Sequence, residues 1–155
     1  MTAQPTPPPA QAPTLPHTWR PLGPRMAALV FGIVLVGAFA WLWVSFDPDT
    51  QASVNVYERG TVIAIVLGGL ALLNALARSR VVADEDGLVV VNGYRRRRLA
   101  WGEVGTVRFP QGAPWPYLEQ GEDDRISLMG IHASDGPRTA TAIRELRAVV
   151  AAHTA

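Results

Sequence analysis

The stretch Met26-Ala27-Ala28-Leu29-Val30-Phe31-Gly32-Ile33-Val34-Leu35-Val36-Gly37-Ala38-Phe39-Ala40-Trp41-Leu42-Trp43-Val44-Ser45-Phe46 carries no charge, and a second uncharged apolar run, residues 61–77, follows it closely. At ~1.5 Å rise per helical residue the two extend about 31 and about 25 Å, against a hydrocarbon core of roughly 30 Å. Both predict membrane spans, the second with little to spare. Residues 47–60 between them are polar and must emerge into water, because unpaired backbone groups are not tolerated in lipid. Residues 26–77 therefore read as a transmembrane helical hairpin. Gly37 and Gly68 come to similar depth in it, where small residues let helices approach.

Arginine placement orients the hairpin. Arg20 and Arg25 precede the first span, and Arg78, Arg80 and Arg95 to Arg98 follow the second, whereas the loop holds only Arg59. The positive-inside rule then predicts a multi-pass protein of the cell membrane with both termini in the cytoplasm. Trp41, Trp43 and Phe46 at the outer end and Trp19 at the inner approach are expected as headgroup-level anchors. The first apolar run is longer than the ~7 to 15 residues of a signal-peptide core, and a second span follows, which argues against cleavage.

Residues 1–25 are rich in Pro, Thr, Gln and Ala and are expected to be a disordered, partly polyproline-like leader. Residues 78–155 suffice for one small domain. Cysteine is absent, which removes disulfides, thiolate metal sites and a cysteine nucleophile. Every basic side chain other than histidine is arginine. In residues 78–155, eleven Arg face ten Asp and Glu, a balance that argues against nucleic acid as partner.

Within this domain the pattern changes to short strands and turns. Val81 to Ala83 and Leu88 to Val91 flank the acidic turn Asp84-Glu85-Asp86-Gly87. Asn92-Gly93 then predicts a type I′ hairpin into a strand from Tyr94. Further strands are expected over 104–109, 115–119 and 125–131, making six. A closing helix follows Ser134-Asp135-Gly136-Pro137, with Ile143, Leu146 and Val150 on its apolar stripe and Arg138, Arg144, Glu145 and Arg147 largely away from it.

The strand order, the run Gly87-Leu88-Val89-Val90-Val91-Asn92-Gly93-Tyr94-Arg95-Arg96-Arg97-Arg98-Leu99-Ala100-Trp101-Gly102-Glu103-Val104 and the Ser-Asp-Gly before the last helix resemble the small bacterial pleckstrin-homology-like domains. With the hairpin included, the chain is similar to an actinobacterial membrane family of low-molecular-weight protein antigens carrying such a domain. The resemblance implies an α+β fold: a two-helix transmembrane hairpin, then a small antiparallel pleckstrin-homology-like β-barrel or sheet closed by a C-terminal helix. It brings no catalytic residues with it.

The residues agree on that point. Glu122-Asp123-Asp124 belongs to a turn where solvated acids are expected. His132 near Asp135 lacks metal-ligand spacing, and no serine elbow, phosphate-binding glycine loop or HExxH helix is present. Trp101 reads as a core anchor. No enzyme, cofactor or metal is expected. The feature with functional leverage is Arg95, Arg96, Arg97 and Arg98. Alternation sends Arg95 and Arg97 to one face and Arg96 and Arg98 to the other, so both pairs cannot lie in a dry core. Arg98 should come near the acidic Asp84 to Asp86 turn. Against an anionic surface each arginine would contribute ~1 kcal/mol, up to about 4 kcal/mol for four.

These readings predict a membrane-anchored, non-enzymatic binding or scaffolding protein presenting the domain at the cytoplasmic face. Its partner is a membrane protein or anionic lipid, met by the arginine run. The alternative is a structural protein that self-associates as a homo-oligomer without a separate ligand.

Overall fold

The computed structural model describes residues 12–121 and 124–154. The elements are β1 (His17–Trp19), α1 (Leu22–Ser45), α2 (Pro48–Ser53), α3 (Val56–Arg78), β2 (Arg80–Asp84), β3 (Gly87–Asn92), β4 (Arg95–Ala100), β5 (Thr106–Arg108), β6 (Tyr117–Glu119), β7 (Arg125–Ser127) and α4 (Pro137–His153).

Helices α1 and α3, of 24 and 23 residues, are both long and apolar enough to cross a membrane. Each starts earlier than its apolar run because caps, not hydropathy, set helix ends. α3 begins at a capping box in which Asn55 Oδ1 accepts from the Tyr57 and Glu58 N–H groups, while Glu58 Oε2 accepts from the Asn55 N–H. The expected loop thus contains the first turn of α3 as well as α2. Asp47 caps α2 by accepting from the Thr50 N–H and hydroxyl, bonds that hold its carboxyl below the usual range.

The two long helices pack through glycines other than those expected. A Cβ at Gly69 would lie 2.9 Å from Leu35 Cδ2, and one at Gly32 would lie 3.6 Å from Leu70 Cδ2. Gly37 and Gly68 have open space around them and face away from the contact. Equal depth places residues at one level but does not choose the side of the helix.

After α3 come two antiparallel sheets, ordered β1-β2-β3-β4 and β5-β6-β7. They do not close on one another, so the architecture is a pair of sheets and not a barrel. Between them lies one core, including Trp19, Val81, Leu88, Val90, Leu99, Trp101, Leu118 and Ile126. The stripe of α4 (Ile143, Leu146, Val149 and Val150) seals that core. The six expected strands are present in order, though β5 to β7 have only three residues each. Trp101 is buried as expected, its indole N–H donating to the Glu85 carbonyl at 3.1 Å and its ring stacked on His153.

A seventh strand, β1, corrects the reading of residues 1–25 as a disordered leader. His17, Thr18 and Trp19 pair with Ala83, Val82 and Val81, which places the hairpin between two neighbouring strands of one sheet. Three residues behind a proline-rich run carry too short a pattern to register as a strand. Residues 1–11 lie outside the described residues. Trp19 is correspondingly no headgroup anchor: it is buried, and its indole N–H donates to Glu145 Oε2 at 3.0 Å. Glu145 is thereby drawn off the solvated side of α4, while Arg147 reaches the Val107 carbonyl.

The domain clasps both long helices, one from the turn before α4 and the other from the β3–β4 turn. Asp135, in the stretch that precedes α4, does not cap that helix: its carboxylate accepts from the Leu22 and Gly23 N–H groups at 3.0 and 2.6 Å, at the start of α1. A negative group there satisfies orphan donors and complements the helix dipole. α4 starts from Gly136 with Pro137 in its first turn and no side-chain cap. At α3, the buried Ser79 hydroxyl donates to the Ala75 carbonyl and accepts from the Gly93 N–H at 3.0 Å.

Two outcomes test this packing. Asp135→Ala should destabilise the fold by about 1 kcal/mol, as loss of an N-cap does, with the largest rise in amide exchange at Leu22 and Gly23. Gly69→Leu should lower the thermal midpoint of the detergent-solubilised protein, while Gly68→Leu should not; equal effects would place the helix contact elsewhere.

Candidate functional site

The β3–β4 connection sets where the arginines fall. Gly93 has φ +61° and among the described residues only glycines have positive φ, so Gly93-Tyr94, not Asn92-Gly93, forms the turn, with glycine first as in type II′. Asn92 then pairs with Arg95, Val91 with Arg96, Val90 with Arg97 and Val89 with Arg98. The register differs by two residues from that of a turn centred on Asn92-Gly93. A shift of two preserves the faces, so the expected alternation stands.

Arg96 and Arg98 lie on the outer face beside Val91 and Val89. Both valines are buried, consistent with arginine stems covering apolar surface while their heads stay in water. Arg98 Nη2 reaches Asp84 at 3.3 Å and Asp86 at 3.0 Å, as its register predicts. Arg95 and Arg97 lie on the inner face, beyond the apolar core, in the seam where the sheets part. Arg97 meets Asp124 at 3.5 Å. Glu122 and Asp123, the rest of that acidic cluster, lie outside the described residues.

The four arginines therefore do not form one equivalent patch. Arg98 and Arg97 are paired, whereas among the described residues no carboxylate lies at ion-pair distance from Arg95 or Arg96. These two are also nearest the long helices. Tyr94, just before them, donates its hydroxyl to the Ala71 carbonyl at 2.9 Å, and the Arg78 guanidinium lies 5.0 Å from its ring centre.

Between β4, β7 and the end of α3 opens a cleft of about 740 Å³. Val90 and Ile126 line it, with Arg95, Arg96, Arg97 and Arg125 on its strand walls and Ala75 and Leu76 on the α3 side. One end is fixed by Asn92, whose side chain donates to the Ser127 carbonyl and accepts from the Met129 N–H. Arg125, over the ring of Tyr117, was not singled out from sequence because only the parting of the two sheets brings β7 opposite β4. A smaller cleft beside Trp19 and α4 is lined by acids already engaged, Glu145 by Trp19 and Asp135 by α1.

His132 is bonded within its own turn to Ser134, and among the described residues no group of three His, Cys, Asp or Glu is placed to hold a metal. The arrangement supplies cations and an apolar floor.

Residues 78–148 match the family described as Bacterial PH domain. The uncharacterized protein Rv1417 of Mycobacterium tuberculosis (strain ATCC 25618 / H37Rv) is 31% identical over 136 residues, covering 88% of this chain and 86% of the relative. The uncharacterized protein Mb1452 of Mycobacterium bovis matches to the same extent. The chain belongs to the bacterial PH domain family. No solved structure matches it. In this bacterial PH domain protein the family match starts at residue 78 and so omits β1, although β1 contributes Trp19 to the core.

The pairing pattern makes one prediction for the outer face. Arg98→Gln should lower stability by less than about 1 kcal/mol, because its ion pairs are exposed, and added salt should shrink the difference from wild type. A loss of several kcal/mol on denaturant unfolding would mean the guanidinium is a core support.

Proposed function

We propose that this protein is a non-enzymatic binding or scaffolding module anchored in the cell membrane by residues 26–77, with both termini and its PH-like domain at the cytoplasmic face. Its partner is an anionic lipid or a membrane protein met by the arginine strand. The observation that most supports this is the pairing of β1 with β2 on either side of the hairpin. Arg20-Pro21 alone joins β1 to α1, and Ser79 alone joins α3 to β2, so the domain is held against the ends of both helices. A hairpin that crosses twice returns the chain to the same side, as two adjacent strands require. The excess of arginine at those ends then favours the cytoplasmic side.

Location decides what such a domain is for. An anchored module needs no recruitment, so basic residues facing the bilayer at ~1 kcal/mol each would orient the domain and select among partners. Self-association is the second reading. It draws on Gly37 and Gly68, whose outward faces have room for another helix. Crosslinking of purified protein at rising concentration supports that version, and capture of a distinct membrane protein supports the scaffold.

The absence of native cysteine makes topology directly measurable. Ala52→Cys, in the loop, should react with a membrane-impermeant maleimide on intact cells, and Gln111→Cys, on the domain, should react only after permeabilisation. Reversed labelling would overturn the cytoplasmic placement.

A further inference from the structure

We infer that the open edge of β4 is a docking site for an acidic, extended segment of another membrane protein, taken up by strand addition. This rests on the reading of the chain as an anchored binding module, and it deepens that reading by naming the mode of contact and the chemistry of the partner. Three observations converge. The first is the backbone. β4 ends its sheet and pairs only with β3. Across the two-residue turn Asn92 and Arg95 form a hydrogen-bonded pair, so Arg95, Arg97 and Leu99 exchange bonds with β3, while the N–H and C=O groups of Arg96 and Arg98 point away from it. Among the described residues nothing bonds those outward groups. The open edge stops at Ala100, whose N–H is taken by Glu103 Oε2 at 3.0 Å.

The second observation is charge. Arg95 to Arg98 are all exposed and alternate in face, so a strand laid along the edge meets guanidinium groups on both of its own faces. Such a row disfavours most strands and admits an acidic one, because opposite charges across a strand pair stabilise it and like charges do the reverse. Two copies joined through this edge would set arginine against arginine. Arg95 and Arg96 have no carboxylate at ion-pair distance among the described residues, and the exposed pair of Arg97 with Asp124 is exchanged at little cost. The third is position. Tyr94, just before β4, donates to the Ala71 carbonyl and lies under the Arg78 guanidinium, so the edge begins beside the last turns of α3. The chain of a neighbouring membrane protein leaves the bilayer at that level, and its first extended residues meet the edge directly. Main-chain bonds then supply affinity and the arginines choose the partner.

The test uses the full chain in phosphatidylcholine nanodiscs, whose headgroups carry no net charge, and a fluorescein-labelled hexaglutamate peptide as probe. Anisotropy should show saturable binding, and a hexalysine peptide should show none. The double variant Arg95→Gln/Arg96→Gln should weaken binding at least about tenfold, and Arg98→Gln, already engaged by Asp84 and Asp86, by less than about threefold. Two further changes isolate the backbone. A hexaglutamate N-methylated at every second residue keeps one bonding edge and should bind like its parent, whereas one methylated at every residue keeps its charge and should lose at least about tenfold. In the protein, Arg96→Pro removes the outward N–H as well as the charge and should bind about tenfold more weakly than Arg96→Gln, which removes the charge alone. Circular dichroism checks the fold of each variant.

Binding that ignores full N-methylation, or is equal for Arg96→Pro and Arg96→Gln, makes the arginines a diffuse charged patch and overturns strand addition. Failure of hexaglutamate to bind wild type, or binding of hexalysine as well, overturns the acidic partner. Amide exchange without peptide decides the other occupants. Protection of Arg96 and Arg98 that grows with protein concentration gives the edge to a second copy, and protection gained only in phosphatidylglycerol nanodiscs gives it to lipid; either overturns the proposal. Such failures, with Ala52→Cys labelled and Gln111→Cys protected, remove the docking edge and keep the anchored module. Reversed labelling with peptide binding intact does the opposite.

Discussion

His17 to Trp19 hold the chain before the hairpin antiparallel to Val81–Ala83 after it, and this short ladder forces the ends of α1 and α3 to lie side by side. Closing a loop of some sixty residues costs chain entropy, and three ladder pairs alone would be a weak return. The side chains add the rest. Trp19 goes into the core and bonds Glu145, and Asp135 caps α1. The packed α1–α3 pair shortens the effective loop, so hairpin and sheet each reduce the cost of forming the other. The domain is therefore not a separate body on a tether.

This arrangement couples the two parts mechanically. With two residues between β1 and α1 and one between α3 and β2, there is no slack to absorb a slide of one long helix against the other. Any axial shift must appear as strain in the β1–β2 ladder or in the contacts of Asp135 with α1 and Gly93 with Ser79. Ser79 is buried and bonded on both sides, which makes the shorter junction the stiffer one.

Much of this was legible in the sequence, for reasons that can be named. The long helices follow from uninterrupted apolar runs, the strand order from turn residues, and the closing helix from the spacing of Ile143, Leu146 and Val150. The pairing of Arg98 with the acidic turn followed from strand alternation and register, and a turn misplaced by one residue left it intact because the partner shift was even. What was not legible depended on contacts distant in sequence. β1 has three residues and no local signature; Asp135 looks like the cap of the helix it precedes, yet serves one more than a hundred residues away. Gly69 and Gly68 differ only in azimuth, and Arg125 acquires its neighbours only from the way the two sheets part.

The arginine strand shows how one segment meets several constraints at once. β4 is an edge strand with an open hydrogen-bonding side, and charged side chains along such an edge discourage pairing with another chain. Four adjacent cations also repel, which alternation eases by sending successive groups to opposite faces. Neutralisation then falls along the strand: Arg98 has two acidic partners, Arg97 has one, and Arg96 and Arg95 have none among the described residues. Over about 10 Å of strand the charge thus goes from compensated at the far turn to uncompensated beside α3. Spread evenly, the same charges would be largely screened by salt. All four are exposed, so their field is short-ranged, felt mainly within about 10 Å of the strand end beside α3, and the asymmetry gives the β4 face a direction.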